Sequence, residues 1–462
     1  MVVLAAGLSA CAALTPAHLP KPPEHSTLIP PQWTAPSAHQ GSLVDLRQWW
    51  KQTGDTLLPV LIDRAQAASP NLSSAAARLE QARAERIISA AAMGPSLDAG
   101  ASVSRGNNQF PLPLSRLANA SLTASWEIDL FDARQLAVQA AQASVEGAQA
   151  QWHDARVVVA AETALQYLSF RHCMRLRALL DEDGRALSQL SALARLGAAA
   201  GLQTPAQAQL AQAQASASAA RERQQHATCE SDIKVLVALT GMSEEALRTE
   251  LAPMAAQPLP TPPALAVARL PAAVILQRPD IIRAERDLFA ALNDLGQAQV
   301  ARTPRLSLSG SIGAFSVRSR DLSSDLDTWS IGPIRVQMPV FDGGAISARE
   351  AASRARYEDA VRQLESAVRG AVKEVEQALV QADSVRTRIE HTERALAHLE
   401  ERHRSVLQRY RAGLAARQDV EESLRGLIDL RIALLSLARE QWIAGISLYR
   451  AAGGGWKDTP SS

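Results

Sequence analysis

The chain has 462 residues and a formal net charge of +1, with 48 Lys and Arg set against 47 Asp and Glu. So even a balance supplies no field to steer nucleic acid or an acidic partner, and no apolar run reaches the roughly 18–20 residues that a transmembrane helix needs. Aromatic residues are only 4% and alanine is abundant, which suits closely packed helices better than a thick globular core.

The N-terminus is apolar from Met1 to Leu14, rich in small residues and too short to span a bilayer, like the h-region and cleavage site of an export signal. It contains Leu8-Ser9-Ala10-Cys11, which resembles a bacterial lipobox, where cleavage precedes a cysteine whose thiol is acylated. Residues 1–10 therefore read as signal peptide and Cys11 as the lipidation site, although no Lys or Arg precedes the apolar run as in an ordinary n-region. Ala12 rather than Asp follows Cys11, which by resemblance to lipoprotein sorting rules favours the outer membrane. Residues 11–45 carry Pro16, Pro20, Pro22, Pro23, Pro30, Pro31 and Pro36 without helical periodicity and read as an extended tether.

Beyond the tether the chain is written twice. Ser69-Pro-Asn-Leu72 and Gly94-Pro-Ser-Leu97 return, 209 positions later, as Arg278-Pro-Asp-Ile281 and Thr303-Pro-Arg-Leu306. Leu130-Phe-Asp-Ala133 returns as Val340-Phe-Asp-Gly343. Residues 46–250 form the first repeat and 272–456 the second, joined by a Pro-rich linker at 251–271 and followed by a tail at 457–462. Each repeat runs in the same order: Pro-started helix, short alternating strands, Phe-Asp turn, very long helix, Ala-Gly-Leu turn, return helix. A duplication of this size dictates architecture.

The first strand hairpin is expected over 96–131. Leu97, Ala99, Ala101 and Val103 alternate with polar or small residues, and Asn119 to Phe131 alternates strictly, with a loop from Arg105 to Ala118 between them. The second, over 305–341, repeats the pattern, with a phase slip at Gly332-Pro333. Four strands of about ten residues, apolar on one face and polar on the other, fit either a small sheet packed on helices or part of a membrane barrel. Four strands alone cannot close a lumen.

The helical hairpins are expected over 133–240 and 343–452. In the second, Val361, Leu364, Val368, Ala371, Val375, Ala378, Ala382, Val385, Ile389, Thr392, Leu396, Leu399, His403, Val406 and Tyr410 recur at spacings of three and four, the mark of coiled-coil packing. At about 1.5 Å per residue such a helix reaches on the order of 100 Å, and it must pair with the helix that returns after Gly413-Leu414. Cys173 and Cys229 are equidistant from the Gly201-Leu202 turn. That places them level on paired helices, and in an oxidising compartment a Cys173–Cys229 disulfide is expected.

With these residues in view, the chain resembles the trimeric outer-membrane efflux channels to which TolC and OprM belong, most closely the NodT-type lipoproteins. The specific pieces are Arg278-Pro-Asp280, Pro304-Arg-Leu306, Trp329-Ser-Ile-Gly-Pro333 through Pro339-Val-Phe-Asp-Gly-Gly344, Arg409-Tyr-Arg-Ala-Gly-Leu414 and Gly453-Gly-Gly-Trp456. The resemblance implies a mainly α fold with a β-barrel part: four strands per chain, twelve in a homotrimer, above a periplasmic α-helical coiled-coil tunnel.

It also implies roles. The tips Gly201-Leu202 and Gly413-Leu414 would meet a periplasmic adaptor, and Asp419 and Glu422 would form acidic rings at a closed periplasmic gate. Tyr410 matches a latching tyrosine whose usual acidic partner falls at Gln207 here. With only the first repeat carrying a cysteine pair, the second tip is expected to move and the first to stay.

Nothing in the sequence speaks for catalysis, a cofactor or a metal. His391, His398 and His403 share a helix without a His-Glu-x-x-His pattern, and Gly453-Gly-Gly455 lacks the Lys and Ser/Thr of a phosphate loop. The expected function is a passive outer-membrane exit duct for drugs, metals or other toxic small molecules. It would be opened by an adaptor and an inner-membrane pump of the resistance-nodulation-division type, with outer-membrane lipid around it. The alternatives are the channel of an ABC-driven type I protein secretion system and a non-conducting lipid-anchored periplasmic scaffold.

Overall fold

The computed structural model describes residues 19–21, 29, 49–107, 114–255, 257–262, 275–320 and 323–455. Its elements run in chain order as α1 (Leu57–Ala68), α2 (Pro70–Ala91), β1 (Ser96–Gly106), β2 (Ser115–Ile128), α3 (Ala133–Ala199), α4 (Pro205–Thr240), α5 (Glu244–Ala255), α6 (Pro279–Val300), β3 (Arg305–Arg318), β4 (Ser323–Gln337), α7 (Ala345–Arg411) and α8 (Arg417–Ala451). The duplication is preserved in the lengths. Helices α2 and α6 both have 22 residues, and α3 and α7 both have 67. Pro70 and Pro279 open their helices at the one position where a missing N–H costs nothing.

Two features differ from the sequence reading. Helices α1 and α5 were not expected, and α5 carries Pro253 inside it, so helix covers the first residues of the assigned linker. The strands have 11, 14, 14 and 15 residues rather than about ten, because β1 and β2 continue into the expected loop through the pairs Arg105–Arg116 and Gly106–Ser115. A ladder needs backbone partners, not apolar alternation, so polar residues extend it beyond the apolar band.

Contacts divide the chain into two compact units that cut across both repeats. The first holds the described residues of 76–151 and 282–367 together with 19–21. Its sheet is antiparallel in the order β1-β2-β3-β4, with β1 and β4 at the edges. The registers put Leu97, Leu122, Trp126, Ile312, Trp329 and Ile331 on one face, all exposed, and Asp98, Ser102, Thr123, Ser125, Ser311 and Ser330 on the other. Cross-strand serine pairs line the polar face, with Ser96 and Ser125 hydroxyls 2.8 Å apart and those of Ser311 and Ser330 2.9 Å apart. The register shifts opposite Gly332-Pro333, between Leu308 and Gly310, so Ile334 and Val336 stay on the apolar face despite the odd spacing.

Helices of the same unit pack on one another. Leu79 and Ala82 of α2 form a buried cluster with Val145 of α3. Arg286 of α6 pairs with Glu146 of α3 at 2.9 Å.

The second unit holds the described residues of 49–75, 152–281 and 368–455, with 29. Its core is aromatic: Trp49 stacks on Tyr449 at 5.4 Å and meets Trp442 edge-on at 5.9 Å, while Trp442 Nε1 donates to the Pro260 carbonyl at 2.6 Å. Asp55 caps α1 by accepting from the Leu57 and Leu58 amides, and its second oxygen takes Arg171 and the Tyr167 hydroxyl. Burial first, and the Asp55 carboxylate second, push the Tyr167 hydroxyl well above its ordinary pKa. Among the described residues no helix is long and apolar enough to cross a membrane.

The α7 seam tapers. Leu364, Val368, Ala371, Val375, Ala378 and Val385 are buried, Ile389 through Val406 are half-buried, and Tyr410 is exposed. A helix held by one partner shields one stripe and no more, which is how a two-helix hairpin ends.

Candidate functional site

The two helical hairpins end in matched turns. After α3, Gly201 adopts φ 73°, its amide donates to Ala198 at 3.1 Å, and the Leu202 amide reaches the Gly197 carbonyl at 2.8 Å. After α7, Gly413 adopts φ 72°, its amide donates to Tyr410 at 3.0 Å, and the Leu414 amide reaches Arg409 at 2.8 Å. Both are left-handed helix ends, which a residue with a Cβ disfavours. Leu202 is 82% exposed and Leu414 70%. Each tip thus holds one large apolar side chain out in solvent.

The return helices start differently. Thr204 and Gln207 form a full capping box on α4: the Gln207 amide donates to Thr204 Oγ1 at 3.3 Å, and the Thr204 amide donates to Gln207 Oε1 at 2.9 Å. On α8 the cap residue is Ala416, which has no side-chain acceptor, and only the back-bond survives, from the Ala416 amide to Asp419 Oδ2 at 2.8 Å. Gln207 and Asp419 thus hold the same third helical position and do the same local work. Asp419 is exposed and adds a charge there, and exposed Glu422 accepts from Gln418 at 2.8 Å. The Gln207 carbonyl is engaged by its own turn, whereas the Tyr410 ring faces the Arg417 guanidinium, 5.8 Å from its centroid.

The first hairpin is stapled. Cys173 on α3 and Cys229 on α4 are bonded, with S–S 2.13 Å and Cα atoms 5.5 Å apart. Arg177–Glu222 at 3.1 Å and Gln166–Asp232 at 3.0 Å pair the same two helices on either side. In the second hairpin Arg388 pairs with Glu440 at 2.6 Å, and His403 Nδ1 lies 2.8 Å from the Ser423 hydroxyl. Each pairing rises on one helix as it falls on the other, as antiparallel partners must.

A third set of contacts, not foreseen from sequence, ties one hairpin to the other. Arg417 Nη2 donates to Gln189 Oε1 at 2.8 Å, Arg425 Nε to Asp183 Oδ1 at 3.1 Å, and Arg439 to the Ser169 hydroxyl at 3.3 Å. Asp183 is buried and also accepts from Ser218 of α4. Arg417 lies 2.5 Å from Glu421, which is 2% exposed. Reading α8 every fourth residue gives Arg417, Glu421 and Arg425, a charged stripe on one face. That stripe is the signal the sequence carries for these contacts, and on a lone helix it reads as a solvated face. Cys11 lies outside the described residues.

The model of the outer membrane efflux protein family matches residues 61–240 and 270–454. The chain belongs to the outer membrane efflux protein family. The pyoverdine export outer membrane protein OpmQ of Pseudomonas aeruginosa is 28% identical over 97% of this chain and 96% of its own length. The outer membrane protein OprJ of the same species is 29% identical over 99% and 95%. Among solved structures, the outer-membrane channel OprN superposes with a TM-score of 0.79 at 26% identity, over 96% of this chain and 97% of that one. The amphipathic sheet is accordingly the strand part, and the long hairpins the helical part, of an efflux channel fold. The family is one of transport rather than catalysis.

Proposed function

We propose that the protein is the passive outer-membrane exit duct of a tripartite efflux pump. The observation that carries this reading is the sheet: four long strands, an exposed apolar face, a serine-lined opposite face and two edges that no described strand pairs. Edges of that length invite pairing, and three copies joined β4 to β1 close a twelve-stranded barrel with lipid outside and water within. Acylation of Cys11 adds an anchor to the outer membrane.

In this reading the tips are the entry. Leu202 and Leu414 dock apolar adaptor tips, and three copies each of Asp419 and Glu422 ring the constriction and favour cations. Tyr410 belongs to the same gate but is served by Arg417 rather than Gln207. Small-molecule cargo, selected by a resistance-nodulation-division pump, passes through. Pyoverdine is the cargo named for one relative and toluene for another, a toluene efflux pump protein of Pseudomonas putida.

The test is single-channel recording of purified protein in planar bilayers. Asp419→Asn with Glu422→Gln removes the charge and keeps an acceptor for the Ala416 amide. Cation selectivity should fall while the channel still forms; unchanged selectivity rejects the acidic rings, and a protein that carries no current rejects the duct.

A further inference from the structure

The sheet has a helix end and a hairpin end. Strands β1 and β3 start from α2 and α6, and β2 and β4 run into α3 and α7, so the β1–β2 and β3–β4 connections lie together at the other end. There the apolar face changes character. Arg105 continues the alternation of Leu97 and Val103. It stands opposite Arg116, and Arg116 stands opposite Arg318, so three exposed arginines on neighbouring strands cross the face in one row. Neighbouring strands lie about 4.8 Å apart, and like charges set opposite one another destabilise a sheet. Only Arg318 is neutralised: its Nη2 holds Asp325 at 2.8 Å, and its Nη1 donates to the Val317 and Ser324 carbonyls. Among the described residues, the guanidiniums of Arg105 and Arg116 have no acid or acceptor. The connection between them, residues 107–114, carries no Asp or Glu.

Beneath that row the face is hollow. Ala101, Ala120 and Ala314 stand opposite one another two rows down, and they floor two adjoining hollows of about 640 and 720 Å³. Val103 walls them on the arginine side, and Leu122 and Ile312 on the other. Asp327 ends the alanine row on β4, as Asp325 ends the row above it. The negative charge of this face is thus gathered on β4 and the unpaired positive charge on β1 and β2. An apolar floor beneath two free guanidiniums matches an amphiphile with an anionic head. Arginine is the side chain whose fork takes a phosphate by two parallel hydrogen bonds. On the lipid face of a barrel a cation is costly at mid-depth and nearly free at the level of the headgroups.

We infer that this end of the sheet holds a phosphate-bearing lipid of the outer leaflet, its headgroup phosphate on Arg105 and Arg116 and an acyl chain laid over Ala101 and Ala120 between Val103 and Leu122. The contact rests on the duct proposed above, which turns this face to lipid and its hairpin end away from the helices of the periplasm. It adds a chemical preference to that reading. A face that was only apolar would accept any lipid, whereas paired guanidiniums without a counter-ion select the phosphate.

The test is native mass spectrometry of the full-length protein released from detergent, titrated with lipid A, with dephosphorylated lipid A and with inorganic phosphate. Lipid A should stay bound to the wild type, and its dephosphorylated form should not. Arg105→Gln with Arg116→Gln should weaken lipid A binding by about tenfold or more. Ala120→Phe, which fills the hollow, should weaken it as well, and Arg335→Gln, on the opposite face of the sheet, should leave it unchanged. Arg105→Lys with Arg116→Lys keeps the charge without the fork and should fall in between, which keeps the question open to measurement if the Gln pair misfolds. Equal retention of lipid A by the wild type and the Gln pair, or equal retention of both forms of the lipid by the wild type, overturns the site. Displacement of lipid A by an equal concentration of inorganic phosphate shows an anion site without an acyl contact and overturns the lipid. A protein that conducts in planar bilayers yet prefers neither form of lipid A leaves the duct standing without this site; one that carries no current overturns the duct and the lipid-facing assignment with it.

Discussion

The turn after α3 and the turn after α7 have the same backbone and different chemistry. Gly201 and Gly413 share φ to within a degree and close the helix end with the same pair of hydrogen bonds. Around the first turn the hairpin is self-sufficient, with a disulfide between its helices and a complete Thr204–Gln207 cap. Around the second it is not. Ala416 has no hydroxyl to cap with, α7 and α8 are joined by ion pairs, the His403–Ser423 contact and a seam that is half-buried from Ile389 onward, and Arg417 and Arg425 reach across to Gln189 and Asp183 of the first hairpin. The duplication kept the backbone geometry while the side chains parted: one hairpin is held from within and the other by its neighbour. A contact between bodies can be exchanged without unfolding either, and on the proposed reading the second hairpin is the element that shifts.

The comparison can be broken at several strengths. The largest effect is expected from Cys173→Ser with Cys229→Ser. A closed segment of 56 residues contributes about 4 kcal/mol in the loop-entropy account. Denaturant unfolding followed by the helical signal should shift by that order, while single-channel currents stay as in wild type. A shift in gating would mean that the staple acts beyond its own hairpin.

A smaller effect separates the caps. Thr204→Ala should cost about 1 kcal/mol at the first tip, and Ala416→Thr should recover a similar amount at the second. Amide exchange at the two turns reads both. Equal responses of both tips to both changes would show that the caps do not distinguish them.

The smallest concerns His172, beside the disulfide. Burial first, and the Arg439 charge second, lower its pKa from 6.5 to about 4. The folded protein then binds fewer protons than the unfolded chain between those values. Its stability is complete above about pH 6.5 and falls as pH is lowered towards 4. His172→Gln should flatten that part of a melting-temperature profile; a profile unchanged by the substitution contradicts the assignment.

What the sequence revealed follows from which signals are periodic. The long helices were legible because Pro is missing from 133–204 and 343–452 and the α7 seam never breaks. The strand faces were legible from alternation, including the slip that the structure resolves as the register shift at Gly332-Pro333. The strand ends were not, because Arg105, Gly106 and Ser115 pair through their backbones. Helix α1 was missed because its start depends on Asp55, whose carboxylate is fixed from a distance by Tyr167 and Arg171. At the tips, the reading of Asp419 and Glu422 as acidic rings comes from resemblance alone. The arginines that tie the hairpins together were missed, because a charged stripe on a helix looks like a solvated face until its partner helix is in place.

Single-channel recording of two variants side by side tests the central claim most directly. Arg417→Ala with Arg425→Ala removes two of the ties between hairpins and leaves Arg439–Ser169, and Cys173→Ser with Cys229→Ser removes the covalent tie within the first. The account predicts that the first variant opens, with open probability raised about tenfold for each 1.4 kcal/mol of lost contact, and that the second conducts as wild type. Opening in the cysteine variant with no change in the arginine variant would contradict it.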